Sequence, residues 1–255
     1  KLTKSKIKLV YIQKNLSRVK AFNAAIDCSE SEFSFRFDSR ARFSNNYAEK
    51  ALKILVDESF LAEVVGGVPE IIPEGTSYQS ILCSEIMNRN YIFFYPKHRN
   101  IKYSGYSSSI YLGCFRTNSL KKIRFNAKKA LISEDSLIIS EFLKKGFKAY
   151  LSSTINVCYI SRKSIKNILK LFNTYGFCRA NTILISRNFF ISPRHFFVFI
   201  SFVSLLIIFL KFSLSLILLL PLLLLLLNFF GELSFCGKKS KFLLPFYATL
   251  CQFSW

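Results

Sequence analysis

Two stretches of this chain hold side chains able to do chemistry. Phe33 to Arg42 alternates aromatic and polar residues and presents Asp38 and Arg40. Far downstream, Ser133, Glu134 and Asp135 stand at the head of an apolar-periodic stretch. A strand-end carboxylate such as Asp38 can ligate a hard divalent cation, or it can be an ordinary turn aspartate. A carboxylate fixed in the first turn of a helix can serve as a general base, or it can only complement the helix dipole. Arg40 cannot bind a cation, but its planar guanidinium can grip a phosphate through two bonds. Arg162 and Arg179 could hold a diphosphate or touch lipid headgroups. Gly66 and Gly67 could let a ligand approach the backbone or simply form a turn.

The elements that must position these groups read as alternating strands and helices. Phe33 to Phe37 has the period of a half-buried strand. Asn46 to Asp57 has an apolar stripe of Tyr47, Ala48, Ala51, Leu52, Leu55 and Val56, which predicts an amphipathic helix. Ala62 to Val68 reads as a strand broken at the glycine pair, Tyr78 to Asn88 as a helix, and Ile110 to Phe115 as a short strand. Ser133 suits an N-cap for a helix through Lys145 that Gly146 stops. Phe147 to Ile160 is rich in strand formers, and Arg162 to Tyr175 is a basic amphipathic helix. Ile7 to Tyr11 could add an edge strand. The alternation predicts an α/β fold with a mostly parallel, covered sheet.

The charge balance is 36 Lys and Arg against 15 Asp and Glu, a net +21 in 255 residues. Such an excess favours either nucleic-acid phosphates or anionic lipid. The tract Phe196 to Phe230, whose only charge is Lys211, favours lipid. No nucleic-acid module is visible, so no nucleic-acid partner is expected. The tract accommodates two passes, near 194–210 and 213–230, and Phe242 to Trp255 could begin a third. Basic residues on both flanks predict a hairpin with both ends in the cytoplasm. Seven scattered cysteines without a C-x-x-C argue against a disulfide framework or a zinc site.

Several short runs together resemble glycosyltransferase family 2, and more narrowly the membrane enzymes of succinoglycan-type exopolysaccharide synthesis. Lys20 to Ile26, with Asn23 at its centre, resembles that family's A-x-N-x-G-I helix. Phe35 to Arg42 resembles the strand carrying its D-x-D motif, with Arg40 where the second acid is expected. Val64 to Gly67, Gly113 to Arg116, the Glu134–Asp135 pair, Arg162 with Ser164, and Tyr175 to Arg179 follow in the family's order.

The resemblance implies a partial GT-A domain over residues 1–190 that lacks its first strands. A membrane region with two or three transmembrane helices would follow over 191–255. It implies inverting sugar transfer from a nucleotide sugar, a UDP-sugar by analogy, to a polyprenyl-diphosphate-linked glycan. Asp135 would be the catalytic base. Asp38, Arg40 and Asn23 would bind the donor, with Asp38 the ligand of Mg²⁺ or Mn²⁺. Glu134, Arg162 and Arg179 would face the acceptor or a diphosphate. The enzyme would be a multi-pass cell-membrane protein with its catalytic domain in the cytoplasm, in contact with membrane lipids. The competing expectation is a non-catalytic transferase relic or a basic membrane-docking protein.

Overall fold

The computed structural model describes residues 18–93, 96–124, 134–185, 203, 219–233 and 243–254. The chain opens with α1 (Arg18–Asp27), β1 (Phe33–Phe35), β2 (Ala41–Phe43) and α2 (Tyr47–Val56). It continues through β3 (Ala62–Ile72), α3 (Tyr78–Asn88), β4 (Gly105–Tyr106), β5 (Tyr111–Arg116) and α4 (Thr117–Ile123). Then come α5 (Glu134–Lys144), β6 (Lys148–Ile160), α6 (Ile165–Ile185), α7 (Leu219–Leu233) and α8 (Leu244–Ser254). The Ile7–Tyr11 strand and the Ser133 cap lie outside the described residues.

The strands form one mixed sheet in the order β1-β5-β3-β6-β2, with β4 also on β6. The two long strands, β3 and β6, run parallel, and every other pairing is antiparallel. The expectation of a mostly parallel sheet is therefore corrected. Helices do separate β3 from β6, which permits the parallel pair. The short strands slot in beside them in the opposite direction.

Alternation along each strand sends neighbours to opposite faces. Val64, Phe115, Ala149 and Leu151 join α1, α4 and α5 in one core layer. Val65, Cys114 and Val157 join Tyr47, Ala51 and Leu55 of α2 in another. Of the predicted α2 stripe, Ala48 and Val56 instead face solvent. β1 and β2 lie at opposite ends of the strand order. Yet Phe35 and Phe43 both pack on the Tyr47 ring, at 6.4 and 4.7 Å between centroids. The sheet thus curls until its two edges meet over α2.

The glycine pair does not break β3, which runs through it. A Cβ on Gly67 would sit 2.1 Å from the Ile155 carbonyl oxygen, and one on Gly66 would sit 2.6 Å from Cγ2 of Ile110. These glycines let neighbouring protein strands close in, which overrides the expectation of a turn. By contrast Gly146 stops α5 as expected, with φ +79°.

A third core cluster joins α3, α6 and α8. Leu82, Ile86, Ile168, Phe172, Leu244, Ala248 and Cys251 are all buried there. α6 carries the predicted apolar face but continues to Ile185, well past Tyr175. α7 meets this body through polar groups. Arg89 donates to both oxygens of Glu232 at 2.8 and 2.7 Å, and the Tyr91 hydroxyl donates to Glu232 at 3.1 Å. Asn228 donates to Thr249 and Gln252 of α8 at 2.9 and 2.8 Å. The opposite side of α7 exposes Leu222, Leu223, Leu226, Leu227 and Phe230.

Among the described residues, no helix is long and apolar enough to cross a membrane. Apart from Val203, the expected pass at 194–210 lies outside them, and the pass at 213–230 is described only from Leu219 onward.

Candidate active site

The parallel strands β3 and β6 end side by side, with Ile72 opposite Ile160. In open α/β sheets the crevice outside such strand ends is the usual ligand position. The stretch from Arg36 to Arg40, which joins β1 to β2, reaches this region. Arg36 donates its backbone N–H to Gly113 of β5 at 3.2 Å, and Ile160 donates to the Arg40 carbonyl at 2.8 Å.

Asp38 is gripped at two points by its own neighbour. Arg36 Nε and Nη2 donate to its two carboxylate oxygens, each at 3.1 Å. The same guanidinium lies 4.5 Å from the Phe22 ring of α1. Asn23, the next residue, is half-buried on that helix. Arg40 is held elsewhere. Its Nε donates to the Ile160 carbonyl at 3.2 Å, and its Nη2 to the Ser161 carbonyl at 2.8 Å and to Glu74. Lys163 also approaches Glu74, at 3.5 Å. Arg40 therefore clasps the ends of β3 and β6, while Asp38 lies two residues earlier on the same connecting stretch.

Asp135 lies in the first turn of α5, and its Oδ1 accepts from the Ser136 backbone N–H at 2.9 Å. Glu134 begins the same helix, and Arg179 lies on α6, but their side chains are outside the described residues. Arg162 is half-buried between β6 and α6.

Three tyrosines connect these groups. The rings of Tyr111, at the start of β5, and Tyr159, near the end of β6, meet edge to face at 6.1 Å. Desolvation raises the Tyr111 phenol well above its ordinary value, and Asp38, Tyr159 and Tyr175 push the same way against Arg36. Tyr175, on α6, is exposed over more than a third of its surface. Its phenol is pushed up to about 12, first by desolvation and then by Tyr159 and Asp135, with Arg99 and Arg162 opposing. Asp38 and Arg36 thus act on one end of a tyrosine cluster, and Asp135 and Arg162 on the other.

Sequence reasoning missed Tyr111 and Tyr159. The usable signal was positional, since Tyr111 stands near the start of the predicted Ile110–Phe115 strand and Tyr159 near the end of the predicted Phe147–Ile160 strand. Arg116, part of a recognised run, lies at the other end of β5, where it donates to the Leu55 carbonyl and pairs with Glu63. A cavity of about 460 Å³ bordered by Tyr106, Leu143 and Lys148 lies at the start of β6 and holds none of these acids.

Among the described residues, no group of three or more His, Cys, Asp or Glu could hold a metal ion. Asp38 is the one carboxylate of the D-x-D-like run. A single carboxylate suits a cation that arrives on a diphosphate, because Mg²⁺ commonly takes one or two carboxylates plus substrate phosphates.

No protein-family model matches the chain. Among curated proteins, it is 26% identical over 188 residues to a Methanococcus voltae protein. That protein is named dolichyl N-acetyl-alpha-D-glucosaminyl phosphate 3-beta-D-2,3-diacetamido-2,3-dideoxy-beta-D-glucuronosyltransferase. The match takes in 71% of this chain and 56% of the relative, so the chain spans little more than half the length of that protein. Among solved structures, Staphylococcus aureus TarS 1–349 in complex with UDP-GlcNAc aligns at a TM-score of 0.38 with 15% identity. That alignment covers 69% of this chain and 48% of TarS.

Proposed function

We propose that this chain is the catalytic part of a membrane-bound, inverting GT-A glycosyltransferase of family 2 type. It moves a sugar from a nucleotide sugar, most simply a UDP-sugar, to a lipid-linked glycan in cell-surface or exopolysaccharide synthesis. The observation that carries this reading is the edge-to-face pair of Tyr111 and Tyr159 near the ends of β3 and β6, with Asp38 held by Arg36 on the adjoining β1–β2 stretch and acting on Tyr111, and Asp135 acting on Tyr175. The Methanococcus voltae relative, named as a transferase for a dolichyl-linked sugar, supports it.

In this reading Asp135 takes the proton from the acceptor hydroxyl. The freed oxygen attacks the anomeric carbon from the face opposite the nucleoside diphosphate. The new C–O bond forms as the bond to the diphosphate oxygen breaks, which inverts the centre. Positively charged groups stabilise the charge that develops on the leaving diphosphate, a role open to Arg36, Arg162 and Arg179. Mg²⁺ or Mn²⁺ bound to the donor diphosphate would add further charge neutralisation, with Asp38 as its protein carboxylate. Glu134 and Asn23 border the acceptor and donor sides respectively. Arg40 supports the donor side by fixing the strand ends. Residues 1–190, with α8 packed onto them, form the catalytic domain, and the tract 194–230 supplies two membrane passes in the cell membrane, with the domain on the cytoplasmic side. The third pass expected from Phe242 is set aside because that segment is α8.

Sugar transfer to a lipid-linked acceptor in membranes tests this assignment. Asp135→Asn should lower kcat by ~100-fold or more, the range of general-base catalysis. Full activity in that variant would remove Asp135 from the role. A second reading, a non-catalytic relic, draws on Arg40 at the second D-x-D position. It predicts no transfer by the unaltered protein with any nucleotide sugar.

A further inference from the structure

Tyr111 stands where several local irregularities converge. The pairing of β3 with β5 shifts register between Val65 and Gly67, opposite the start of β5. A Cβ on Gly66 would lie 3.1 Å from the Tyr111 carbonyl oxygen, so that glycine lets the segment close in. The next residue, Leu112, is buried yet holds φ +47°. A side chain in that left-handed region is strained, and such strain persists only where the surroundings enforce it. Here the Tyr47 hydroxyl enforces it by donating to the Leu112 carbonyl at 2.6 Å. Bulges and strained residues of this kind re-aim side chains near functional sites.

The result of this arrangement is an unsatisfied group. The Tyr111 hydroxyl is buried and has no hydrogen-bond partner among the described residues. An unpartnered buried polar atom calls for a specific explanation. The groups acting on it are Asp38, Tyr159, Tyr175 and Arg36, all at the site described above.

We propose that the Tyr111 hydroxyl donates a hydrogen bond to a phosphate oxygen of a diphosphate bound between Asp38 and Arg162. This rests on the transferase reading above. The phenol keeps its proton, so it is a donor and requires an acceptor. A phosphate oxygen only accepts, and Arg36, Arg99 and Arg162 around the three phenols favour an anion over a neutral hydroxyl. The diphosphate could belong to the sugar donor or to a lipid carrier, and the chemistry at Tyr111 is the same for both.

The test is Tyr111→Phe in the full chain, with calorimetric titration of UDP-GlcNAc, UDP, inorganic pyrophosphate and farnesyl diphosphate. Loss of a hydrogen bond to a charged oxygen should weaken binding by ~10-fold or more. Without ligand, the unfolding midpoint should stay level or rise, because the variant removes an unsatisfied hydroxyl. A loss confined to UDP-GlcNAc and UDP assigns the contact to the donor. A loss confined to farnesyl diphosphate assigns it to the carrier. Unchanged binding of every ligand overturns the proposal, as does a marked fall in the ligand-free midpoint, which would reveal a partner within the fold. If the unaltered protein binds none of the four, the transferase reading falls and this assignment falls with it.

Discussion

Asp38 and Tyr111 show how single residues at this site constrain one another. The Arg36 fork fixes both carboxylate oxygens of Asp38, so that acid is oriented before any ligand arrives. The Tyr111 phenol is then left desolvated beside that carboxylate. Tyr47, Tyr111 and Tyr175 all have raised folded-state values, with desolvation the first cause in each. An unfolded tyrosine loses its proton near pH ~10. The folded protein therefore holds these protons while the unfolded chain releases them, and stability falls as pH climbs above that point. For Tyr175 the loss runs up to about pH 12, and for the other two it continues higher. Absorbance titration of the folded protein should show a late-ionising class among its 12 tyrosines. Tyr111→Phe should shrink that class. A single ionisation step near pH ~10 for all of them would contradict the buried cluster.

The elements show what the local pattern could and could not say. The α3 bounds, the α2 stripe and the Gly146 stop were legible because they depend on near neighbours in sequence. Strand direction was not legible, because a short strand such as β5 has the same period whichever way it pairs. The glycine pair misled for the same reason. Its meaning lies in Ile110 and Ile155, which no local rule places beside it. At the site, Asp38 and Asp135 could each be singled out, but their shared tyrosine cluster required β5, β6 and α6 to converge. Gly67→Ala tests the element-scale account. Its Cβ would meet a backbone carbonyl at 2.1 Å, which no rotamer change relieves. Denaturant unfolding should show a loss of about 3 kcal/mol or more, at the upper end for overpacking. A cost under about 1 kcal/mol would mean that β3 and β6 can separate freely there.

At the scale of the whole molecule, α7 is joined to the body by charge and α8 by apolar packing. Arg89 and Glu232 are almost fully buried, so removing Glu232 takes the two-point grip from Arg89 and leaves it the longer contact to Glu85 at 3.5 Å, and removing Arg89 takes the guanidinium from a buried carboxylate. Glu232→Ala should destabilise by about 3–5 kcal/mol, whereas Arg89→Met with Glu232→Leu should recover most of that loss. Chemical unfolding in detergent, with limited proteolysis to detect release of α7, distinguishes the two. Equal losses in both variants would show that packing, not the ion pair, holds the helix. The seat of α8 has a further consequence, for the order of events during synthesis. Leu244, Ala248 and Cys251 complete a core whose other members belong to α3 and α6. Amino-terminal segments normally begin folding while the chain is still being made. Here Ile86, Met87 and Phe172 must wait, apolar and uncovered, until the whole leucine-rich stretch has emerged and α8 can fold back onto them. The nascent chain thus presents two greasy surfaces at once, one that α8 will cover and one on α7 that stays open, so a chaperone or membrane-insertion factor has a natural point of engagement before this core closes.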